Sequence, residues 1–191
     1  MLRTRVSEKV IRRIMAEDGL VAHVPRRRRY SSYEDETTPA PGNLVNRDFT
    51  AEAPNEKWLT DITEIKARDG KVYLSPPVDC HDGRIVAYTA GFSPNAGLAG
   101  RMLVKAVETL PEGAHPLEHS DCGCHCRWSG WLELMERYGL TRSMSAKGCS
   151  PDNAAVEGFF GRMKTESVHP GHWEERTRDE VLVPVDDCIR W

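Results

Sequence analysis

Hydrophobic residues divide the 191-residue chain into an amphipathic start, a polar stretch and a longer region of alternating periodicity. Near the N-terminus the apolar residues recur at the three- to four-residue spacing of a helix: Val6, Val10, Ile11, Ile14 and Met15. Ser7 and Gly19 are typical of the start and the end of such a helix. Residues 31–54 are rich in Ser, Thr, Pro and acidic residues, which predicts a linker.

The region after residue 55 shows the two-residue alternation of strands and the longer period of helices in turn. Turn signals at Asp69, Gly70 and Gly83 separate three predicted strands. Predicted strands cover 57–66, 71–80, 84–91, a short stretch ending at 120, and 140–144; predicted helices cover 95–110, 127–138, 151–168 and 178–191. This order predicts an α/β fold, a mixed five-stranded sheet with helices on both faces. Pro76 and Pro77 fall inside the second predicted strand, where missing ladder donors predict a local distortion.

Composition favours a folded protein with one domain of ordinary size and an appendage. Hydrophobic residues make up 39% of the chain, and no apolar run is long enough to span a membrane. Six cysteines without an evident export signal indicate a reducing compartment, so we predict a cytoplasmic protein. The net charge is −3, but residues 1–30 hold nine Lys or Arg against three acids. This basic block either contacts nucleic-acid phosphates or is a solvated tail.

Three acidic residues lie in three different local settings. Asp61 lies in a predicted strand, Asp121 follows a short extended segment, and Glu157 lies in a predicted helix, with 35 residues between Asp121 and Glu157. Carboxylates from two strands and a helix can converge at one end of a sheet. Such a cluster suits two Mg²⁺ or Mn²⁺ ions about 3.5–4 Å apart and phosphoryl transfer on nucleic acid. Each residue taken alone also has a simpler role, as an edge-strand residue, a helix cap or a solvated charge.

Four segments carry a resemblance to a known family: Ala53–Thr63, His119–Asp121, Ser143–Gly148 and Asp152–Glu166. In order and spacing they are similar to the catalytic core of DDE transposases and retroviral integrases. They are most similar to the second-frame (OrfB) product of insertion sequences whose transposase is made by frameshifting. The resemblance implies the ribonuclease-H-like fold, with Asp61, Asp121 and Glu157 as catalytic residues and metal ligands.

The activity implied by the resemblance is metal-dependent cleavage of element ends followed by strand transfer, as in transposition. It implies two Mg²⁺ or Mn²⁺ ions as cofactors, element ends and target DNA as partners, a homo-oligomer on DNA, and a location at the nucleoid in the bacterial cytoplasm. Two other functions remain open: a nuclease of the same fold, which cleaves without joining, and a truncated, non-catalytic remnant that only binds DNA.

The resemblance also divides the chain into four parts. Residues 1–30 are similar to the end of a helix-turn-helix region and 31–54 to a linker. Residues 55–170 form the integrase catalytic core, and 171–191 form a C-terminal helical segment. The family continues beyond both ends, so we expect this chain to be truncated and to join DNA poorly by itself.

Several further residues are predicted DNA contacts: His119, Lys147, Asn153, Lys164 and the run Arg26, Arg27, Arg28 and Arg29. Lys164 carries that role in the family and returns to the helix face of Glu157, seven positions earlier. Asn153 orients a carboxylate or a phosphate, or else caps the helix. His119 contacts DNA, supports the site, or is a buried structural histidine. Lys147 lies in a loop that covers the active site in integrases, or is a solvated lysine.

Cysteines depart from the family pattern directly after Asp121. Cys122, Cys124 and Cys126 are separated by single residues, whereas structural zinc sites usually space their cysteines by two to four. A zinc site is therefore a poor fit, and the sequence assigns these three cysteines no role.

Overall fold

The computed structural model describes residues 7–19, 40–121, 128–146 and 149–190. The chain forms two compact units, Met1–Ser31 and Ser32–Trp191. In the first unit helix α1 spans Glu8–Glu17, which confirms the predicted helix. Ser7 occupies the N-cap position with an extended backbone but makes no side-chain cap hydrogen bond. Gly19 follows the helix with a φ of 64°, a left-handed conformation that glycine adopts without strain.

The described part of the second unit contains seven strand segments and four α-helices: β1 Lys57–Thr60, β2 Thr63–Ala67, β3 Gly70–Ser75, β4 Pro77–Asp79, β5 Thr89–Gly91, β6 Leu117–Ser120, β7 Thr141–Met144, α2 Ala96–Val107, α3 Ser129–Arg137, α4 Ala154–Met163 and α5 Arg178–Arg190. Short 3₁₀ turns cover Ser150–Asn153 and Trp173–Glu175, and a π-helical turn covers Lys164–Val168. None of the helices in these described ranges has the length and apolar character needed to cross a membrane.

The first two long strands form one antiparallel hairpin that is interrupted in the middle. β1 pairs with β4 and β2 pairs with β3, and the register is the same on both sides of the break: Thr60 faces Pro77 and Thr63 faces Leu74. This register places Asp61 opposite Pro76, at the break itself. Pro76 has no backbone N–H and cannot donate to the ladder at this position. The distortion predicted at the two prolines is therefore confirmed.

The sheet has five strands when the two halves of each interrupted strand are counted together. Its strand order is β4-β1-β6-β7 on one side of the break and β2-β3-β5 on the other. β6 pairs in parallel with both β1 and β7, whereas the hairpin and β5 are antiparallel. The predicted mixed sheet is confirmed.

The third predicted strand is shorter than predicted. Only Thr89–Gly91 is a strand, and Ile85 makes an isolated bridge with Val78. The Val86 amide donates to the carbonyl oxygen of Pro77 at 3.0 Å, but Pro77 has no N–H to donate in return. A regular ladder therefore begins only farther along the chain.

Hydrophobic side chains cover both faces of the sheet. One buried cluster joins the hairpin to α4 and α5, and the other is built from α2, α3 and the end of β7. Trp58 and Leu59 are neighbours in β1 and point to opposite faces, yet they are only 0% and 2% exposed. The predicted helices on both faces are thereby confirmed.

The described part of the predicted linker, residues 40–54, lies against the core. Val45 is 2% exposed, and the Leu44 amide donates to Ser143 Oγ at 2.9 Å. Lys57 Nζ donates to the carbonyl oxygens of Asp48 and Thr50 at 2.6 and 2.8 Å. The polar composition predicted a linker because composition does not reveal which distant groups the segment bonds.

Candidate active site

Two of the three predicted carboxylates follow neighbouring parallel strands at the same level. Asp61 comes directly after β1 and Asp121 directly after β6. The last residues of these strands, Thr60 and Ser120, are paired in register. Because the two strands run in the same direction, Asp61 and Asp121 leave the sheet side by side at its carboxyl edge.

The interruption of the hairpin shapes the surroundings of Asp61. Its Oδ1 accepts a hydrogen bond from the Ile62 amide at 2.7 Å, directly beside the break. The buried Thr60 hydroxyl donates to the carbonyl oxygen of Pro76 at 2.9 Å. Side-chain oxygens thus satisfy backbone groups where the ladder is missing, and they hold the chain around Asp61 in place.

Helix α4 carries the third carboxylate on its solvent side. Val156, Phe160 and Met163 pack into the core, whereas Glu157 lies in the first turn and is exposed. This division follows from the helical period, which puts the three apolar side chains on one face and Glu157 off it. Lys164 opens the following π-helical turn and is half-buried.

The charges of these groups act on Asp61. The pKa of Asp61 is raised from 3.8 to about 7, mainly by burial and also by the negative charges of Asp121 and Glu157. The Ile62 amide and the positive charge of Lys164 lower this pKa. The structure therefore brings Asp121, Glu157 and Lys164 within electrostatic reach of Asp61, with two like charges and one opposite charge acting on this half-buried carboxyl.

The donor set fits a hard divalent cation. It consists of carboxylate oxygens, and their mutual repulsion would be relieved by positive charge between them. The ligand oxygens of the three residues do not all lie within 4.8 Å of one another; in the described ranges, only His172, Glu174 and Glu175 form such a compact group, and these three are exposed. Ligand oxygens that hold two ions about 3.5–4 Å apart are spread more widely than those around a single ion.

Asn153 is buried at the start of α4, and its amide is not used as a helix cap. The residue is 3% exposed, makes no side-chain cap hydrogen bond, and its Oδ1 has no partner among the described residues. The helix-cap alternative is therefore wrong. A buried amide oxygen without a hydrogen-bond partner lowers the stability of the fold. This favours a role in which Asn153 bonds to a bound ligand or nucleotide.

His119 is fully buried between β7 and the start of α4. Its Nδ1 lies 2.8 Å from Ser143 Oγ, and its Nε2 lies 3.1 Å from Ser145 Oγ and 3.0 Å from the Asp152 carbonyl oxygen. Burial lowers the pKa of the imidazole, and a neutral ring fits these partners, with Nε2–H donating to the carbonyl. Since both ring nitrogens are engaged inside the protein, the structure favours the buried structural role over contact with DNA.

Asp152 and Arg47 form a contact that sequence reasoning missed. Arg47 Nε donates to Asp152 Oδ1 at 2.9 Å, and the Ala146 amide donates to Asp152 Oδ2 at 3.2 Å. The Arg47 guanidinium lowers the pKa of Asp152 to about 2. Arg47 lies 105 positions away in the segment predicted as a linker, so no local signal could have found it.

Glu118 is a second residue that the sequence did not single out. It is 1% exposed, and its Oε1 has no hydrogen-bond partner within the described ranges. Burial raises the pKa of Glu118 to about 8, Arg142 lowers it and Asp121 raises it. Glu118 is therefore mostly protonated at neutral pH. No spacing signal distinguishes such an acid from a solvated strand residue.

Two of the predicted DNA contacts, Lys147 and the run from Arg26 to Arg29, lie outside the described residues. The same is true of Cys122, Cys124 and Cys126, to which the sequence assigned no role.

In sequence, the chain is similar to integrase cores and to bacterial transposases. Residues 51–150 match the model of the integrase core domain family. The chain is 57% identical over 187 residues to a probable transposase for insertion sequence element IS1353 of Shigella flexneri, covering 98% of this chain and 36% of that protein. It is 42% identical over 170 residues to an uncharacterized transposase-like protein of Haemophilus influenzae, covering 89% of this chain and 78% of that protein. The chain thus spans about a third of the length of the first relative.

Solved structures of low sequence identity share the fold. The HTLV-2 integrase catalytic core domain in complex with magnesium superposes with a TM-score of 0.52 at 19% identity, over 73% of this chain and 83% of that one. A simian T-cell lymphotropic virus intasome superposes with a TM-score of 0.56 at 20% identity, over 66% of this chain and 44% of that one. The fold is therefore the ribonuclease-H-like fold of integrase cores.

Proposed function

Because the chain belongs to the integrase core domain family, we propose that it is the catalytic core of an insertion-sequence transposase. In this role it cleaves the ends of its element and joins them to target DNA. The observation that carries the proposal is that Asp61 and Asp121 leave neighbouring parallel strands side by side and that the charges of Asp121 and Glu157 both act on Asp61. A solvated surface acid does not have its pKa raised to about 7 by burial and two neighbouring carboxylates.

Asp61, Asp121 and Glu157 would hold two Mg²⁺ or Mn²⁺ ions. The HTLV-2 integrase core of similar fold is in complex with magnesium. Bound divalent ions supply stabilisation of the attacking and leaving oxygens in phosphoryl transfer. The three carboxylates provide the oxygen ligands and the negative charge that neutralise such ions. The pKa of about 7 leaves Asp61 partly protonated near neutral pH, and as a ligand of a divalent ion it would have to give up this proton.

The remaining polar residues of the site position DNA. Lys164 sets a positive charge beside the carboxylates, where it contacts a phosphate of the element end. The unpaired Oδ1 of Asn153 lies next to the helix that carries Glu157 and orients a ligand or a nucleotide. Lys147 adds a further phosphate contact.

The basic segment that contains the run from Arg26 to Arg29 binds the DNA backbone. Replacing these four arginines by glutamine should reduce the slope of log affinity against log salt by roughly one unit for each phosphate that the protein no longer neutralises. A fluorescence-anisotropy titration of the 191-residue chain over a range of salt measures this slope. An unchanged slope would show that the run is a solvated tail.

Element ends and target DNA are the partners in this proposal, and a homo-oligomer of the chain brings two ends together at the nucleoid in the bacterial cytoplasm. The solved simian virus relative is an intasome. Size measurement of the chain with and without an element-end duplex tests the assembly. A particle with one chain on each duplex at all concentrations would contradict it.

A labelled-DNA assay with Mg²⁺ or Mn²⁺ tests the reaction. We expect the chain to nick an element-end duplex at the strand that is later joined, and the joined product to appear with a relative whose sequence extends beyond the matched region. Cleavage without joining in both proteins would identify a nuclease instead. Binding without cleavage in both would identify a non-catalytic DNA-binding remnant.

A further inference from the structure

Residues 42–49, called the strap, lie across the edge of the sheet and contact the beginning of the helix that carries Glu157. The Met144 amide donates to the Gly42 carbonyl oxygen at 3.4 Å, and the Leu44 amide donates to Ser143 Oγ at 2.9 Å. Val45, in the middle of the strap, is buried. The strap is therefore bonded to the outer edge of β7 and is part of the core.

A chain of hydrogen bonds leads from the strap through the sheet to α4. Ser143 Oγ accepts from the Leu44 amide and donates to His119 Nδ1 at 2.8 Å, because the neutral ring uses Nε2–H for the Asp152 carbonyl. Asp152 lies in the 3₁₀ turn directly before α4. One end of the strap is thus connected to the start of the helix through two strands.

The other end of the strap reaches the same residue directly. Arg47 Nε donates to the Asp152 carboxylate at 2.9 Å, and the Asp152 side chain is only 7% exposed. Asn46 and Arg47 both adopt positive φ, at 47° and 64°, an unfavourable backbone for these residues that the surrounding contacts must hold. The backbone and the side chain of Asp152 are therefore both fixed by groups that begin in the strap.

We propose that Arg47 is a positioning residue: through Asp152 it fixes the start of α4 against β6 and β7, and so sets where Glu157 lies relative to Asp121. The strap precedes the core in the chain, so the segment that leads into the catalytic domain helps to build its active site. Arg47 does not itself touch the three carboxylates in this role. The part that concerns metal affinity rests on the proposed function; the part that concerns the helix does not.

The test uses the metal-free 191-residue chain and follows amide hydrogen exchange in the first turn of α4, residues 154–158. We expect at least a roughly tenfold faster exchange there in Arg47→Ala and in Asp152→Asn, and no further increase in the double variant, because both changes remove one interaction. Arg47→Lys should recover part of the protection, since it keeps the charge but loses the planar guanidinium. Exchange in β1 and the urea midpoint should change little.

Lys71→Ala is the matched control. Lys71 forms an ion pair of 2.7 Å with Glu64 on the hairpin and is 49% exposed, comparable to the 59% of Arg47, but it is bonded within the hairpin rather than to α4. Exchange in residues 154–158 should be the same as in the unaltered chain. If Arg47→Ala behaves like this control, or if it accelerates exchange equally throughout the core, the positioning role is refuted.

Calorimetric titration with Mn²⁺ then separates this inference from the proposed function. We expect Arg47→Ala to weaken Mn²⁺ binding about fivefold, and Glu157→Gln to weaken it more without changing exchange at the start of α4. If Glu157→Gln leaves Mn²⁺ binding unchanged, the proposed metal site fails, while the exchange result still decides whether Arg47 positions the helix. Unchanged Mn²⁺ affinity in Arg47→Ala, with an affected Glu157→Gln, would overturn the link from the strap to the site.

Discussion

The two halves of the interrupted hairpin share one register but differ in their hydrogen bonding and in the charged groups that they carry. The outer half, β2 with β3, has an unbroken ladder of five paired positions, and its Lys71 and Glu64 pair in solvent at 2.7 Å. The inner half, β1 with β4, ends at the break between Asp61 and Pro76. There, side-chain groups instead of the opposite strand make the hydrogen bonds to backbone groups. Asp61 at the break has a pKa of about 7, whereas the outer half holds an ion pair between Lys71 and Glu64.

This difference separates a region whose contacts serve only the stability of the fold from a region that also carries a proposed active-site residue. The outer half has an unbroken ladder and one ion pair of opposite charges, although Lys66 and Lys71 also occupy paired positions. The inner half collects like charges and gives up ladder hydrogen bonds, which costs stability that the surrounding core has to offset. Removing features of the inner half should therefore change function more than stability.

The largest effect is expected from the carboxylates. Asp61→Asn, Asp121→Asn and Glu157→Gln should each reduce metal-dependent cleavage of an element-end duplex by at least about 100-fold, because each removes negative charge at the site of phosphoryl transfer. Gel assays of cleavage together with circular dichroism check activity and fold. Asp179→Asn and Glu133→Gln change exposed helical acids and serve as controls. Near-full activity in any of the first three variants would remove that residue from the site.

The metal-free chain should become less stable as the pH rises from about 5 to about 8. The folded protein keeps protons on Asp61 and Glu118 up to pKa values of about 7 and 8, whereas the unfolded chain loses them near 3.8 and 4.5. At these two carboxyls the unfolded state binds fewer protons in this interval; the lowered pKa of His119 opposes the effect with one proton, so the free energy of unfolding still falls. Asp61→Asn should raise that free energy at the upper end of the interval by about 1–3 kcal/mol.

Urea unfolding in the presence of a chelator, at both ends of this pH interval, measures the dependence. Glu64→Gln in the outer half is the control and should leave the difference between the two pH values unchanged. Added Mg²⁺ should stabilise the unaltered chain more at the higher pH than at the lower, because ligands must be deprotonated to bind. A metal-free stability that rises with pH across the interval would contradict the raised pKa values.

Pro76→Ala should have a smaller effect on catalysis. It supplies the missing backbone N–H opposite Asp61, so the ladder can extend across the break and shift the carboxylate. We expect cleavage to slow by several-fold and the Asp61 region to gain amide-exchange protection. Pro77→Ala is the matched change within the paired segment β4. If both proline variants behave alike, the break does not position Asp61.

The smallest effect is expected from the outer half. Lys71→Ala should lower the free energy of unfolding only slightly, because an exposed ion pair contributes little to stability. Cleavage should be unaffected. A reduction of activity comparable to that of Pro76→Ala would mean that the two halves of the hairpin are coupled, and that the contrast drawn between them is wrong.

The sequence by itself determined the elements and singled out the three carboxylates that we propose as catalytic. Helix α1, the mixed sheet and the helices on both faces follow from periodicity, because the spacing of buried side chains is a local property of helices and strands. Pro76 predicted the break, since a missing N–H acts at its own position. Asp61, Asp121 and Glu157 were recognisable because the residues that flank them and their spacing are properties of the chain itself.

Only the tertiary structure decided which distant groups those elements bring together. The contact of Arg47 with Asp152 joins positions 105 apart, and the polar composition of residues 40–54 predicted a linker where the structure has a strap bonded to β7. The burial of His119 and of Glu118 depends on helices and strands packed against them from elsewhere in the chain. The raised pKa of Asp61 arises in the same way, because burial and the field of neighbouring charges exist only once the chain has folded.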